Sequence, residues 1–523
     1  MRCTVLSWRA QIRWAALCFS AAALSFVAVA EPAARPQYGG VLRVELRAAS
    51  FTLNPRRWKA GSADYATNER LAALVFERLV SLDNYGRFQP QLSTEWSHDS
   101  AAKRWQFTVR QGVKFSDGTS LTPADVVAAL QPILPRGLQI LATSSGVAIQ
   151  STSPVNDLLE MLASGPCFIT RSDGKGMLLG TGPFVLENPP ASSQQAEKTS
   201  SDAGGAPAQH LRFRFNELCW SGRPYLDAVD VMLGVPPLRA LLDLQLGKTD
   251  VGELSEDTAR RAQQSNLKIW ASSPLTLYAL KFAAPVKSQN DRTLREALSL
   301  SIDRNAMARV LLQKQADPAP SFLPQWLSGY AFLFDMESNL ERAKELRASL
   351  PAIALGTAQP LRVGLDASND LSKLIAERVV VNARGAGITL QIFSRTAPRA
   401  AGDGAGNAAK LESDAQLISW RYTTLSSRDA LESLAAASRW EIPEDGVPTD
   451  ADARYAWEKR MINEKTILPL VAVPDFAALD LRVRNWSPSA WGEWRLGDVW
   501  LDQSEPFVAP RDARAKSLAG VRP

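Results

Sequence analysis

Segments with a two-residue apolar period alternate with segments of helical period along almost the whole chain. That alternation restricts the fold more than any single motif does. Val41 to Leu46, in GVLRVEL, alternates and is rich in β-branched residues, so it reads as a strand leading into the loop Ala48 to Trp58. Asn68 to Val80 carries apolar residues at helical spacing and reads as an amphipathic helix. Trp105 to Val109 and Val113 to Phe115 read as short strands broken at Gln111-Gly112, with a second turn at Asp117-Gly118. Thr122-Pro123-Ala124-Asp125 then starts a helix through Leu130: the hydroxyl caps, proline takes the first position, and the carboxylate sits by the positive end of the dipole. Further strands are expected at 184–187, 211–215, 361–365 and 388–393, and helices at 294–313, 340–349 and 371–386. The fold class is therefore α/β. No repeat of fixed period occurs, which argues against a solenoid or propeller.

Two stretches interrupt this order. Pro189 to Gln209 and Ala397 to Ala409 shift to Ser, Ala, Gly and other small or polar residues and read as solvated loops. The first thirty residues are different again. Met1 to Trp14 holds three arginines and no acid, Ala15 to Val29 is apolar and uncharged, and small residues at Ala28 and Ala30 place a cleavage site before Glu31. A transmembrane helix needs about 20 apolar residues, so residues 1–30 read as a signal peptide and the mature chain as exported and soluble. Cys18 lacks the small residue before it that a lipidation site wants. Export leaves Cys167 and Cys219 in a compartment where one disulfide is possible, the alternative being two buried thiols.

With 523 residues, 46% of them apolar, and only four Cys, the chain can fill about three cores; it is no disordered tail or disulfide-dense scaffold. The formal charge of +5 falls further once the three leader arginines are removed, so there is no electrostatic footprint for a nucleic acid. Catalytic constellations are scarce. The two histidines, His98 in the polar turn SHDS and His210 beside the first loop, read as solvated surface residues; there is no H-E-x-x-H, C-x-x-C or G-x-S-x-G. Gly180-Thr181-Gly182-Pro183 lacks the lysine of a phosphate loop, and Pro183 lacks an N–H, so it reads as a tight strand entry. No cofactor, metal or enzymatic activity is called for. The abundant chemistry is aromatic: 15 Trp, several in loops, suit the wall of a ligand cleft.

The stretches VFERLVSLDNYGRFQPQLSTEW and FTVRQGVKFSDGTSLTPADVVAAL resemble the signature region of family 5 extracellular solute-binding proteins, the receptors of peptide-, nickel- and oligosaccharide-type ABC importers. Collinear matches follow at GTGPFVLE, FNELCWSGRPYLDAVDV, LQLGKTDV, LREALSLSIDRNAM, ERAKELRASL, GITLQIF and ILPL. The resemblance implies a two-lobed periplasmic-binding-protein fold of type II with an extra subdomain and a discontinuous first domain. Lobe 1 would comprise 31–68, 178–272 and 483–523, the extra subdomain 69–177, and lobe 2 273–482. It also implies a periplasmic monomer whose partners are a small-molecule or oligopeptide ligand and a permease with its ATPase.

Family members often carry in the later lobe a Trp followed three residues on by an Asp that, in peptide receptors, pairs with the ligand's α-ammonium. Here the matching segment is SWRYTTLSSRD: Trp420 is the expected aromatic wall, Thr423 stands where the Asp would be, and no Asp-Pro follows. A hydroxyl cannot neutralise a buried ammonium, so capture of free peptide N-termini is not expected. Arg421 would suit an anionic or hydroxyl-rich group, its alternative being a surface charge. The expected ligand-binding residues are Trp420, Arg421, Tyr422 and Thr423, with Phe51 and Trp58 from the loop after the first strand. The expected function is a receptor that captures a small organic solute for import; the alternative is a divergent, non-transport member acting as a sensor subunit or chaperone.

Overall fold

Two long strands, Lys268–Phe282 and Ile467–Leu479, run antiparallel and tie the molecule together. The computed structural model describes residues 35–503 except 63, 84, 188–208, 337, 351–359, 367–368, 396–412, 439, 441 and 443–445. The signal-peptide reading and most of both soft loops fall outside the described residues. Lys268–Ala271 pairs with Phe476–Leu479, whereas Thr276–Lys281 pairs with Ile467–Val473; the register shifts between the two halves, where Pro274 faces Pro474. Proline cannot donate to a ladder, so the shift falls where the pairing is weakest.

One eleven-stranded sheet passes through this hinge. On one side, Val41–Leu46 lies parallel to Ala228–Leu233 and Val251–Leu254, and Val251–Leu254 joins the hinge strand antiparallel. On the other, Ala415–Arg421 pairs with Lys268–Phe282 and is followed by the parallel strands Leu361–Asp366 and Leu390–Arg395. The first lobe buries Leu42, Val44, Phe184, Phe213 and Trp494 among others in one core. The second lobe has a core on each face of its sheet, one reaching to helices Gln289–Ser301 and Asp370–Gly385, the other to helices Ser427–Ser438 and Ala451–Asn463. Burial on both faces is what lets parallel strands be apolar throughout.

A smaller body is inserted in the first lobe. Strands Ser93–His98, Arg104–Val109, Gly146–Ser151 and Leu138–Ala142 form an antiparallel sheet in that spatial order, packed with helices Pro123–Leu130 and Leu158–Leu162 over a core running from Leu79 to Ile169. Thr122 accepts from the Asp125 N–H and Asp125 accepts from the Thr122 N–H at 2.9 Å, so the expected cap is a reciprocal one. Entry and exit of the insert lie together, since Glu77 and Ile169 form an isolated bridge.

The structure corrects several boundaries. The helix expected over 68–80 is Tyr65–Val75, and its Leu71, Leu74 and Val75 pack in the first lobe's core; Phe76 turns extended as the chain leaves for the insert. The helix expected over 294–313 is Gln289–Ser301, broken at Ile302, after which Asp303 caps a new short turn. Val113 to Phe115 forms only a bridge between Lys114 and Ser120. Gly180 and Gly182 lie against the end of helix Tyr65–Val75: a Cβ on Gly180 would stand 2.0 Å from the Val75 carbonyl oxygen. That close approach, with no role for phosphate, is what the glycines serve.

Candidate interlobe ligand cleft

Strand alternation sends consecutive residues of Ala415–Arg421 to opposite faces. Trp420 and Tyr422 pack into the second lobe's core with Leu277, Leu431 and Trp457. The Tyr422 hydroxyl donates to the Phe322 carbonyl at 2.6 Å. Trp420 is not confined to that core, because Gly61, on the loop after the first strand, lies 3.8 Å from its ring when given a Cβ. The Tyr65 hydroxyl, from the first lobe, donates to the Thr423 carbonyl at 3.3 Å. Two contacts from the insert join it: the Ser426 hydroxyl donates to Asp157 at 2.5 Å, and the Leu425 N–H donates to the Ser164 hydroxyl at 3.0 Å. The segment 420–426 is therefore where the second lobe meets both the first lobe and its insert.

Arg421 points the other way, into the hinge, and this overturns both sequence expectations for it. It is neither free for an anionic ligand nor a surface charge: its two terminal nitrogens donate to the two oxygens of Asp475 at 2.8 and 2.7 Å. Asp475 also accepts from Arg70 at 2.5 Å, and Arg70 reaches on to Glu253 at 3.1 Å. Burial alone would raise the Asp475 carboxyl, but the Arg421 and Arg70 charges hold it well below the usual carboxylate range. Glu253 is lowered the same way, its burial outweighed by Arg70 and Arg47. Gly492 adopts φ +85° directly above the pair, and a Cβ there would stand 3.0 Å from Leu275 and 3.5 Å from Asp475. A second knot lies beside it, where Arg78 pairs with Glu493 at 2.6 Å and Glu69 at 2.9 Å while its guanidinium lies 3.8 Å over the Phe168 ring.

Next to the hinge the second lobe opens a cavity of about 650 Å³. The arch Asp317–Pro324 forms one wall, Ser273, Pro274 and Ala472 of the hinge the floor, and Trp326, Phe332 and Tyr422 much of the rest. The arch is pinned from behind by Glu458, fully buried, which accepts from the Phe322 and Leu323 N–H groups at 2.7 and 3.2 Å and from the Tyr330 hydroxyl at 2.9 Å. Trp326 lies 6.2 Å from Trp491 of the segment that carries Gly492.

Of the remaining expected residues, Trp58 is half-buried against Tyr65 and Phe168, with ring centroids 5.6 and 6.0 Å away, and its indole N–H donates to Thr52. Phe51 packs against the first lobe's core. Trp58 thus stands behind Tyr65, itself at the cleft, while Phe51 serves the core. Cys167 and Cys219 are buried free thiols and the possible disulfide is not formed: Cys167 lies in the insert's core, while the Cys219 sulfur lies 3.2 Å from the Ser221 hydroxyl in its own turn. His98 and His210 are exposed, away from the cleft, as expected. Asp475, Arg70 and the arch 317–324 were not found from sequence. Asp475 sits inside an apolar strand, and the arch carries no charge pattern beyond its prolines.

Two lobes joined by a pair of long strands, with contacts converging across the cleft between them, define the architecture of a two-lobed binding protein. The chain belongs to the bacterial extracellular solute-binding proteins, family 5, whose model matches residues 87–440. It is 25% identical over 372 residues to the nickel-binding periplasmic protein of Escherichia coli, and 23% identical over 351 residues to the peptide transport periplasmic protein SapA of Salmonella typhimurium. The alignments cover 63% and 58% of this chain and 67% and 60% of those relatives. The solved structure of CtaP from Listeria monocytogenes, an ABC transporter substrate-binding protein, superposes with a TM-score of 0.70 at 17% identity over 89% of this chain and all of that one. NikA from Staphylococcus aureus, solved with Ni(L-His)2, gives 0.66 at 17% over 88% of this chain and all of its own. The two-lobed fold of that family is therefore the fold of this chain, and the family's role, solute binding for ABC import, is its class. No described helix is long and apolar enough to cross a membrane.

Proposed function

We propose that this protein is an exported, periplasmic receptor that encloses a small organic solute between its lobes and delivers it to a membrane permease driven by an ATPase. The observation that carries the reading is the convergence at 420–426, where Tyr65, Asp157 and Ser164 reach the second lobe beside Trp420. Closure is then a hinge motion about the register shift at Pro274 and Pro474, biased by whatever ligand touches both lobes. The cargo is not a free peptide N-terminus held by a carboxylate at position 423, since Thr423 offers none. The nearest buried carboxylate of the hinge, Asp475, is already bound by two arginines.

Nickel-binding and peptide-transport relatives put both cargo classes in the test. Thermal shift of the chain from Glu31 onward, against oligopeptides, oligosaccharides, nickel chelates, small carboxylates and small neutral aromatic compounds, should raise the midpoint with one class. A ligand at 100 times its Kd adds about 2.7 kcal/mol. No shift with any class, from a cooperatively unfolding sample, would sink the receptor reading.

A further inference from the structure

The polar groups around the 650 Å³ cavity are nearly all spent on the protein itself. The Trp326 indole donates to the Pro274 carbonyl at 2.9 Å, the Tyr422 hydroxyl to Phe322 at 2.6 Å, and the Ser321 hydroxyl to Leu323 at 2.8 Å. Both ends of the Gln325 amide are engaged, its nitrogen on the Gly329 carbonyl and its oxygen on the Phe332 N–H. Part of the backbone is closed as well. Pro274, Pro318, Pro320 and Pro324 have no N–H to offer. The N–H groups of Phe322 and Leu323 go to Glu458, and that of Ala319 goes to the Leu470 carbonyl. Among the described side chains that line it, the Ser273 hydroxyl and the exposed Asp317 carboxylate make no such bond, and the N–H groups of Ser321, Gln325 and Trp326 make none either.

A wall without a cationic side chain, and with most side-chain donors already engaged, sets the chemistry of what can enter. An anionic group would find no cation there, and a buried polar group left without a partner costs about 1–3 kcal/mol, more if charged. What the wall does offer is ring faces and edges from Trp326, Phe332 and Tyr422, in a volume that holds a ligand of two or three rings. Exposed aromatic surface supports the same conclusion, since Phe332 is 71% exposed at the rim, where it has little core to hold.

We infer that this cavity is a binding chamber for an apolar or aromatic small molecule that carries no negative charge, or for such an aromatic part of a larger solute. The inference rests on the receptor reading for its biological use and deepens it by naming the ligand class. The arch Asp317–Pro324 is the selective element: held from behind by Glu458, it carries three prolines that have no N–H to offer and no cationic side chain.

The test uses N-phenyl-1-naphthylamine, a neutral probe that fluoresces on entering an apolar site, with the mature protein. Saturable enhancement is expected, weakened at least five-fold by Trp326→Ala and by Phe332→Ala; the latter removes a rim side chain and leaves the cores intact. Leu333→Ala, at an exposed neighbour that does not line the cavity, should change nothing. In competition, neutral 1-naphthalenemethanol should displace the probe at least ten-fold better than 1-naphthoate. Absence of saturable binding, indifference to both aromatic variants, or equal competition by the carboxylate would each overturn the chamber. Probe binding with the expected variant pattern, alongside no midpoint rise with any solute class of the panel, neutral aromatics included, would keep the chamber and refute the receptor reading alone.

Discussion

Position 421 shows how far one residue can be read without its surroundings. The Trp-Arg-Tyr-Thr order is read from sequence as a ligand-binding segment, and in the structure Trp420 and Thr423 lie against first-lobe residues. The role expected of Arg421 failed, because its partner Asp475 lies 54 residues on, in a strand that otherwise reads as core. Nothing local announces a buried carboxylate with two arginines on it. The pairing makes a sharp demand on Asp475. In Asp475→Asn the buried Arg421 guanidinium loses its paired carboxylate and Arg70 keeps only Glu253, and removal of one partner from such a site costs about 3–5 kcal/mol. Urea denaturation should show that loss, and Arg421→Met combined with Asp475→Leu should recover much of it. Gly492→Ala should also destabilise, since φ +85° and a 3.0 Å approach to Leu275 both resist a side chain.

Among elements, those with clean periodicity and a cap were legible. Helices Leu340–Ala348 and Asp370–Gly385 and strand Leu361–Asp366 fall within a residue or two of expectation. The failures lie where a tertiary contact ends an element early. Helix Tyr65–Val75 stops because the chain must cross from one core to another, and apolar spacing continues beyond it regardless. The arch 317–324 was invisible because its stability comes from Glu458, more than a hundred residues later. Burial pushes the Glu458 carboxyl up to about 7 despite the hydrogen bonds it accepts, and burial does the same to Glu77 and Asp429. A carboxyl raised above its unfolded value of about 4.3 favours folding fully below that value and loses its contribution as pH rises through about 7. The melting temperature should therefore fall between pH 5 and pH 8, and Glu458→Gln should shrink that fall. Asp475 and Glu253, lowered in the fold, act in the opposite sense and only in acid, below the ordinary carboxylate range.

At the scale of the whole molecule, collinear motifs along the chain were enough to give the two-lobed fold, since each fixes a strand, a cap or a turn in sequence order. The ligand chemistry was not legible, because it depends on which donors remain free after folding, and that count exists only in three dimensions. The bridging contacts predict a measurable balance between open and closed forms. Tyr65→Phe combined with Ser426→Ala removes two hydrogen bonds between the second lobe and the rest, each worth about 0.5–1.5 kcal/mol. Small-angle scattering should then report a larger radius of gyration for the unliganded variant, and a cargo found in the thermal-shift panel should restore the smaller value. An unchanged radius would mean that these contacts do not set the lobe angle.

The bridge between Glu77 and Ile169 makes the inserted body a modular unit. Its chain departs and returns at a single point, like a pendant on one clasp, so residues can be gained or lost within it without re-registering any of the eleven strands. Its contacts with 425–426 then make its size a free variable by which a lineage could deepen or shorten the mouth of the cleft while the hinge stays as it is.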